Sequence, residues 1–160
     1  MLFRSLSPHS DIVALMVLAH QKEVQNLIAL ANSKGNGAAR ETGEALVKAM
    51  LFAGAAPLTA PVKGTSSFTM DFASQGPRDS RGRSLREFDL QTRMFRYPLS
   101  YLIYSKSFDA LSADVKTYVY RRLREVLSGE DKSKDFAYLG TADRTAILEI
   151  LRATKPDFPR

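Results

Sequence analysis

Apolar residues recur at helical spacing in one segment of this chain after another, and no segment alternates apolar and polar residues as a strand does. The clearest segment follows Ser112, a good N-cap, carries Asp114 in its first turn and stops at Gly129. A last segment begins at Thr141 and stops at Pro156. The pattern predicts an all-α fold, a single globular helical domain of about five helices over residues 1–160.

Four further helices are predicted before these two. The first covers residues 11–32 with Ser10 as its N-cap, and the second runs from the Asn36-Gly37 pair to Gly54. A short third helix lies between residues 65 and 75, and Pro98 is suited to the first position of another. The apolar residues on helical spacing in the first helix are Ile12, Leu15, Met16, Ala19, Leu27 and Ala31.

The stretch from residue 78 to residue 84 contains no apolar side chain, which predicts a long irregular surface loop rich in arginine. Regular structure is predicted to resume at Leu85. The alternative fold is α+β, with one small hairpin near residues 85–97.

Several classes of function lack the residues that they need. The chain has no cysteine, which excludes disulfides, thiolate metal sites, iron–sulfur clusters and covalently attached c-type haem within it. Its two histidines are His9 and His20, and no nucleophile elbow, phosphate-binding loop, dinucleotide fingerprint or zinc-protease motif accompanies them. No catalytic residue and no metal ligand is therefore predicted, and the chain is not expected to be an enzyme. The longest apolar run, residues 12–19, is too short to span a membrane.

Positive charge is concentrated in one part of the chain. Residues 78–124 hold eleven Lys or Arg against five Asp or Glu, a net of +6, whereas the whole chain has 23 against 17. Arginine makes planar bidentate contacts with carboxylates, so we predict a non-catalytic interaction domain that docks on an acidic protein surface or a neighbouring domain. The predicted partner-binding residues are Arg78, Arg81, Arg83, Arg86, Arg93 and Arg96.

Two alternative functions remain at this point. His20 follows Met16 by one helical turn, so a redox accessory domain that binds haem noncovalently through His20 is one alternative, although such a histidine is more often a hydrogen-bonded residue at the rim of a core. Nucleic-acid binding through the segment 78–124 is the other, because five of the six tyrosines lie there among the arginines.

Stretches along nearly the whole chain resemble the C-terminal region of large uncharacterised bacterial proteins. They are residues 10–18, 20–21, 56–62, 76–85, 88–105, 108–111, 118–123, 147–152 and 154–156. The resemblance implies that the chain is a terminal domain of a longer parent protein, in an exported or periplasmic setting and associated with cytochrome-like electron-transfer chains. It implies no catalytic residue.

Overall fold

The structure, a computed structural model, describes residues 11–34 and 39–159 and confirms the all-α fold. These residues form six α-helices and no β-strand, with two 3₁₀ turns at Tyr101–Tyr104 and Lys134–Phe136. The helices are α1 (Ile12–Ser33), α2 (Ala39–Met50), α3 (Phe68–Ser74), α4 (Lys106–Asp109), α5 (Ala113–Ser128) and α6 (Thr141–Thr154).

The N-cap of α1 is Asp11 and not Ser10, which lies outside the described residues. The Asp11 carboxylate accepts hydrogen bonds from the backbone N–H groups of Val13 at 2.9 Å and Ala14 at 3.3 Å, which have no partner inside the helix. It also accepts one from the backbone N–H of Ser66 at 3.0 Å. The start of α1 is thereby tied to the segment that precedes α3.

The residues that α1 buries differ from the apolar residues that the sequence spacing predicted for its buried side. Ile12 and Leu15 are 47% and 49% exposed, because they lie on another side of the helix from the core. The buried residues are Val13, Val17, His20, Val24, Ile28 and Ala31. The side of α1 that contains most of its β-branched residues therefore faces the core.

The ends of α5 and α6 agree with the sequence pattern. Gly129 ends α5 in the left-handed conformation with φ of 80°, as expected of a glycine that ends a helix. α5 packs against both α2 and α6, and α1 packs against α2. The fully buried side chains that these helices share in one core include Val24, Leu46, Met50, Leu123, Ile147 and Ile150.

The predicted helix at Pro98 is wrong. The backbone there forms one 3₁₀ turn, Tyr101–Tyr104, whose N-cap is Ser100 with its hydroxyl accepting from the N–H of Leu102 at 3.3 Å. The backbone N–H of Ser100 donates to the carbonyl of Met50 at 2.8 Å, at the end of α2. Because this long-range bond holds the chain extended before the turn, a regular helix does not start at Pro98.

Residues 85–97 approach the hairpin of the alternative fold without forming strands. Phe88 and Phe95 make one isolated antiparallel bridge, and the N–H of Arg96 donates to the carbonyl of Glu87 at 2.8 Å. Leu90 reverses the chain between them with φ of 58°, in the left-handed region. The result is a hairpin-like turn that brings the arginines at its two ends close together.

Candidate functional site

We call the six predicted docking residues, Arg78, Arg81, Arg83, Arg86, Arg93 and Arg96, the basic face. The loop that carries its first members is folded around Asp79, whose carboxylate accepts from the N–H groups of Arg81 at 2.9 Å and Arg83 at 2.8 Å. The Arg83 side chain also donates to Asp79, at 2.7 Å. Arg81 and Arg83 both reach the same oxygen of Glu149 on α6, at 3.0 and 2.6 Å. This loop is thus fixed to α6.

The other end of the basic face is organised around two more carboxylates. Glu87 lies between Arg78 and Arg96, with one oxygen 3.4 Å from each guanidinium group. Arg93 donates hydrogen bonds to the carboxylate of Asp143 on α6 from both of its terminal nitrogens, at 2.7 and 2.8 Å. The hydrogen bonds that Arg93 donates to Asp143 raise the pKa of Arg93, so its guanidinium group stays charged.

The basic face is less positive than a count along the sequence suggests. Two of the carboxylates that contact it, Asp143 and Glu149, come from α6, outside the segment 78–124. Five of the six guanidinium groups pair with four carboxylates, those of Asp79, Glu87, Asp143 and Glu149. The arginines of the basic face therefore outnumber by two the carboxylates that pair with them. The most exposed cations are Arg81 and Arg96, whose side chains are 67% and 64% exposed.

Arg86 differs from the other five. Among the described residues, its guanidinium group has no carboxylate partner and no hydrogen-bond acceptor. Its Cζ lies 4.4 Å from the ring centre of Phe72 and 4.6 Å from that of Tyr101. Its stem lies against Gly76, which has φ of 83° and where a Cβ would come within 3.0 Å of the Arg86 Cδ. Partial burial lowers the pKa of Arg86, because it disfavours the charged form.

An open cavity of about 320 Å³ adjoins Arg86. The hydroxyl of Tyr104 donates to Thr154 at 2.6 Å, since the Thr154 hydroxyl donates its own proton to a backbone carbonyl. The Ser105 hydroxyl lies 3.0 Å from that of Ser107, which can act as the donor of the pair. The cavity therefore offers a ligand the N–H donors of Arg86, and Ser105 is among its lining residues. Its other lining residues are Gly76, Pro77, Tyr101, Leu102 and Tyr104.

A second partly buried guanidinium group, that of Arg122, lies between α2 and α5. It reaches three carboxylates: Glu44 at 2.8 Å, Glu125 at 2.5 Å and Asp131 at 2.6 Å. Although partial burial raises the pKa of Asp131, the hydrogen bonds from Arg122 and Ser133 outweigh it and lower that pKa to about 2. The Arg122 hydrogen bond likewise lowers the pKa of Glu44. This network is therefore charged at neutral pH.

His20 is buried in the core and is 5% exposed. Its ring stacks on Phe52 at 4.3 Å between ring centres, and its Nε2 lies 2.8 Å from the hydroxyl of Ser100. Burial lowers the pKa of His20 to about 4, so the ring is neutral at pH 7. A haem iron at Nε2 would have to displace Ser100 and draw the ring out of the core. These contacts give no support to the haem alternative.

The five tyrosines between residues 78 and 124 are packed against the protein. Tyr97, Tyr101 and Tyr120 are at most 7% exposed, and Tyr104 and Tyr118 are partly buried. A base of a single-stranded nucleic acid stacks on an accessible ring face. The tyrosines that suggested nucleic-acid binding are therefore mainly packing residues.

The described residues hold no metal-binding cluster and no membrane-spanning helix. In residues 11–34 and 39–159, no three or more His, Asp or Glu side chains are arranged to hold a metal ion. Within the same ranges, no helix has both the length and the apolar character needed to cross a membrane. No protein-family model, curated protein or solved structure matches the chain. The basic face and the cavity beside Arg86 are thus the candidate functional site.

Proposed function

We propose that the chain is a non-catalytic helical interaction domain whose basic face docks on an acidic surface of another protein or of a neighbouring domain. The observation that carries the proposal is the imbalance of charge on this face, which has six guanidinium groups but only four carboxylates paired with them. An acidic partner would supply the missing negative charge, and opposite charge on two surfaces accelerates their association.

The internal ion pairs of the basic face favour docking rather than oppose it. Arg83 and Arg93, which hold the loop to α6, have side chains that are only 18% and 34% exposed. Because they fix the loop, Arg81 and Arg96 can be presented to a partner with less loss of conformational entropy on binding. Arg83 and Arg93 therefore fix the loop to α6, and Arg81 and Arg96 remain available to contact a partner.

The proposal is tested with an acidic peptide such as a labelled oligoglutamate, whose affinity for the protein is measured at about 0.1 M and about 1 M salt, where the screening length falls from about 10 Å to about 3 Å. The test variant replaces Arg78, Arg81 and Arg96 with Gln. We expect weaker binding to this variant at low salt, with unchanged helix content, and weak binding of both proteins at high salt.

A variant with the same change in net charge serves as the control. Lys63, Arg124 and Arg152 are exposed residues outside the basic face, and replacing them with Gln should leave the affinity within about twofold of the parent, since distant surface charges are screened. Equal losses in the two variants would reduce the effect to net charge and contradict the proposal. Tight binding of a single-stranded oligonucleotide with no binding of the peptide would favour the nucleic-acid alternative.

A further inference from the structure

We propose that the cavity beside Arg86 is a binding site for one carboxylate group, which an aspartate or glutamate side chain of the docking partner supplies. The inference rests on the proposed function for the source of the carboxylate, but the site itself is argued from the surroundings of Arg86. It assigns to this cavity the central contact of the basic face.

The first argument is the unmet hydrogen-bonding capacity of Arg86. A guanidinium group carries five N–H donors, and none of those of Arg86 has an acceptor among the described residues. A partly buried cation normally acquires a carboxylate or several hydrogen bonds, as the other five arginines of the basic face do. The ring faces of Phe72 and Tyr101 hold the cation in place but accept no strong hydrogen bond.

The second argument is that the protein positions Arg86 before any ligand arrives. Two rings confine its guanidinium group within 4.6 Å of their centres, and Gly76 leaves room for its stem where any other residue would press on it. A ligand therefore meets a planar pair of donors that is already held in position, an arrangement that reduces the entropy lost on binding.

The third argument identifies the ligand class by its charge. Arg86 is the one cationic residue among the described residues that line the cavity. A carboxylate carries a single negative charge and matches the guanidinium fork with two parallel hydrogen bonds, whereas a phosphate monoester would bring a second charge with no described cation of the cavity to meet it. At about 320 Å³ the cavity is large enough for a carboxylate with its short side chain.

The first arm of the test asks whether a carboxylate binds at Arg86. Sodium acetate replaces sodium chloride at constant ionic strength while the Nε–H resonance of each arginine is followed by NMR. We expect a saturable shift of the Arg86 resonance, lost in Arg86→Met and weakened in Arg86→Lys, which keeps the charge but not the fork. The variant Arg124→Met, which loses an exposed arginine of α5, should keep the shift. No shift of Arg86 with acetate would overturn the site.

The second arm separates the site from the proposed function by measuring oligoglutamate binding. Loss of Arg86 should weaken that binding about tenfold or more, since hydrogen bonds between a guanidinium group and a carboxylate are stronger than those between neutral groups. Unchanged peptide affinity in Arg86→Met would overturn the carboxylate site while the docking function stands. If acetate binds at Arg86 but oligoglutamate does not bind to the protein, both the docking function and the partner as the source of the carboxylate would be overturned.

Discussion

Arg86 and Arg122 are both partly buried arginines, yet the protein surrounds them in opposite ways. Arg122 lies between α2 and α5 with three carboxylates within 2.8 Å. Arg86 lies beside α3 between two aromatic rings, with no carboxylate among the described residues. The first arrangement satisfies the guanidinium group within the fold, and the second leaves its donors available.

This difference separates a structural arginine from a binding arginine. Removing Arg122 would leave Glu44 and Asp131 without their guanidinium partner, whereas removing Arg86 would leave no group of the described protein without a partner. A group that costs free energy to bury and gains no partner in the fold is a candidate for function, as strained or unpaired groups in binding sites often are.

The largest effect should come from Arg122→Met, which we expect to lower the free energy of unfolding by about 3–4 kcal/mol, because breaking a buried ionic network leaves charges uncompensated. Urea denaturation at pH 7 measures it. Arg121→Met is the matched control: that side chain is 55% exposed, and among the described residues Glu125 is the one carboxylate that it pairs with, so its loss should cost less than about 1 kcal/mol. Similar losses in both variants would contradict the structural role given to Arg122.

The parts of the fold that depend on local signals could be predicted from the sequence. Gly129 ends α5 as expected, because a helix-ending glycine acts within one turn. α6 begins at Thr141 as expected, although no described side chain caps it. The helix expected at Pro98 does not form, because the N–H of Ser100 bonds to the carbonyl of Met50, fifty residues earlier in the chain. No local pattern contains that bond.

The sequence shows which arginines the candidate site contains, but it does not show which carboxylates and rings they contact. The sequence indicates the six arginines of the basic face, but counting charge in a window omits Asp143 and Glu149, which the fold brings in from α6. Nor does any spacing distinguish Arg86 from its neighbours. Its isolation depends on where Phe72 and Tyr101 meet, and those residues are far apart in the chain.

His20 differs from both Arg122 and Arg86, because this buried side chain could carry a positive charge but stays neutral. Its pKa is lowered to about 4 in the folded state, against an ordinary value of 6.5. Between these values the unfolded chain takes up a proton and the folded chain does not, so stability should fall as the pH drops from about 6.5 to about 4. We expect a loss of about 2–3 kcal/mol over this range.

Urea denaturation at a series of pH values measures this loss, and His20→Gln provides the comparison. The variant should be less stable at pH 7, because it loses the stacking on Phe52, but the drop between pH 6.5 and pH 4 should be smaller than in the parent. The carboxylates near Arg122 are common to both proteins and therefore cancel. Equal pH dependence in the two proteins would mean that His20 is not the group responsible.

A smaller effect is expected from Gly76→Ala, which disturbs the position of Arg86 without removing its charge. The φ of 83° is strained for alanine, and the new Cβ would lie 3.0 Å from the Arg86 Cδ. We expect a loss of about 1 kcal/mol in the free energy of unfolding, together with weaker acetate binding. Gly82→Ala has a similar φ of 76° with open space around its Cβ, so it should cost similar stability but leave acetate binding unchanged.

The smallest change in stability should come from Arg86→Met, the direct counterpart of Arg122→Met. Methionine keeps an unbranched apolar stem against Phe72 and Tyr101, and its sulfur packs favourably on aromatic rings. Because no described carboxylate loses a partner, we expect the free energy of unfolding, measured by urea denaturation, to change by less than about 0.5 kcal/mol. Acetate binding should be abolished. A loss comparable to that of Arg122→Met would instead show that the interaction of the cation with the two rings stabilises the fold, and Arg86 would then be a structural residue like Arg122. Stability retained with binding lost is the combination that only a binding arginine produces.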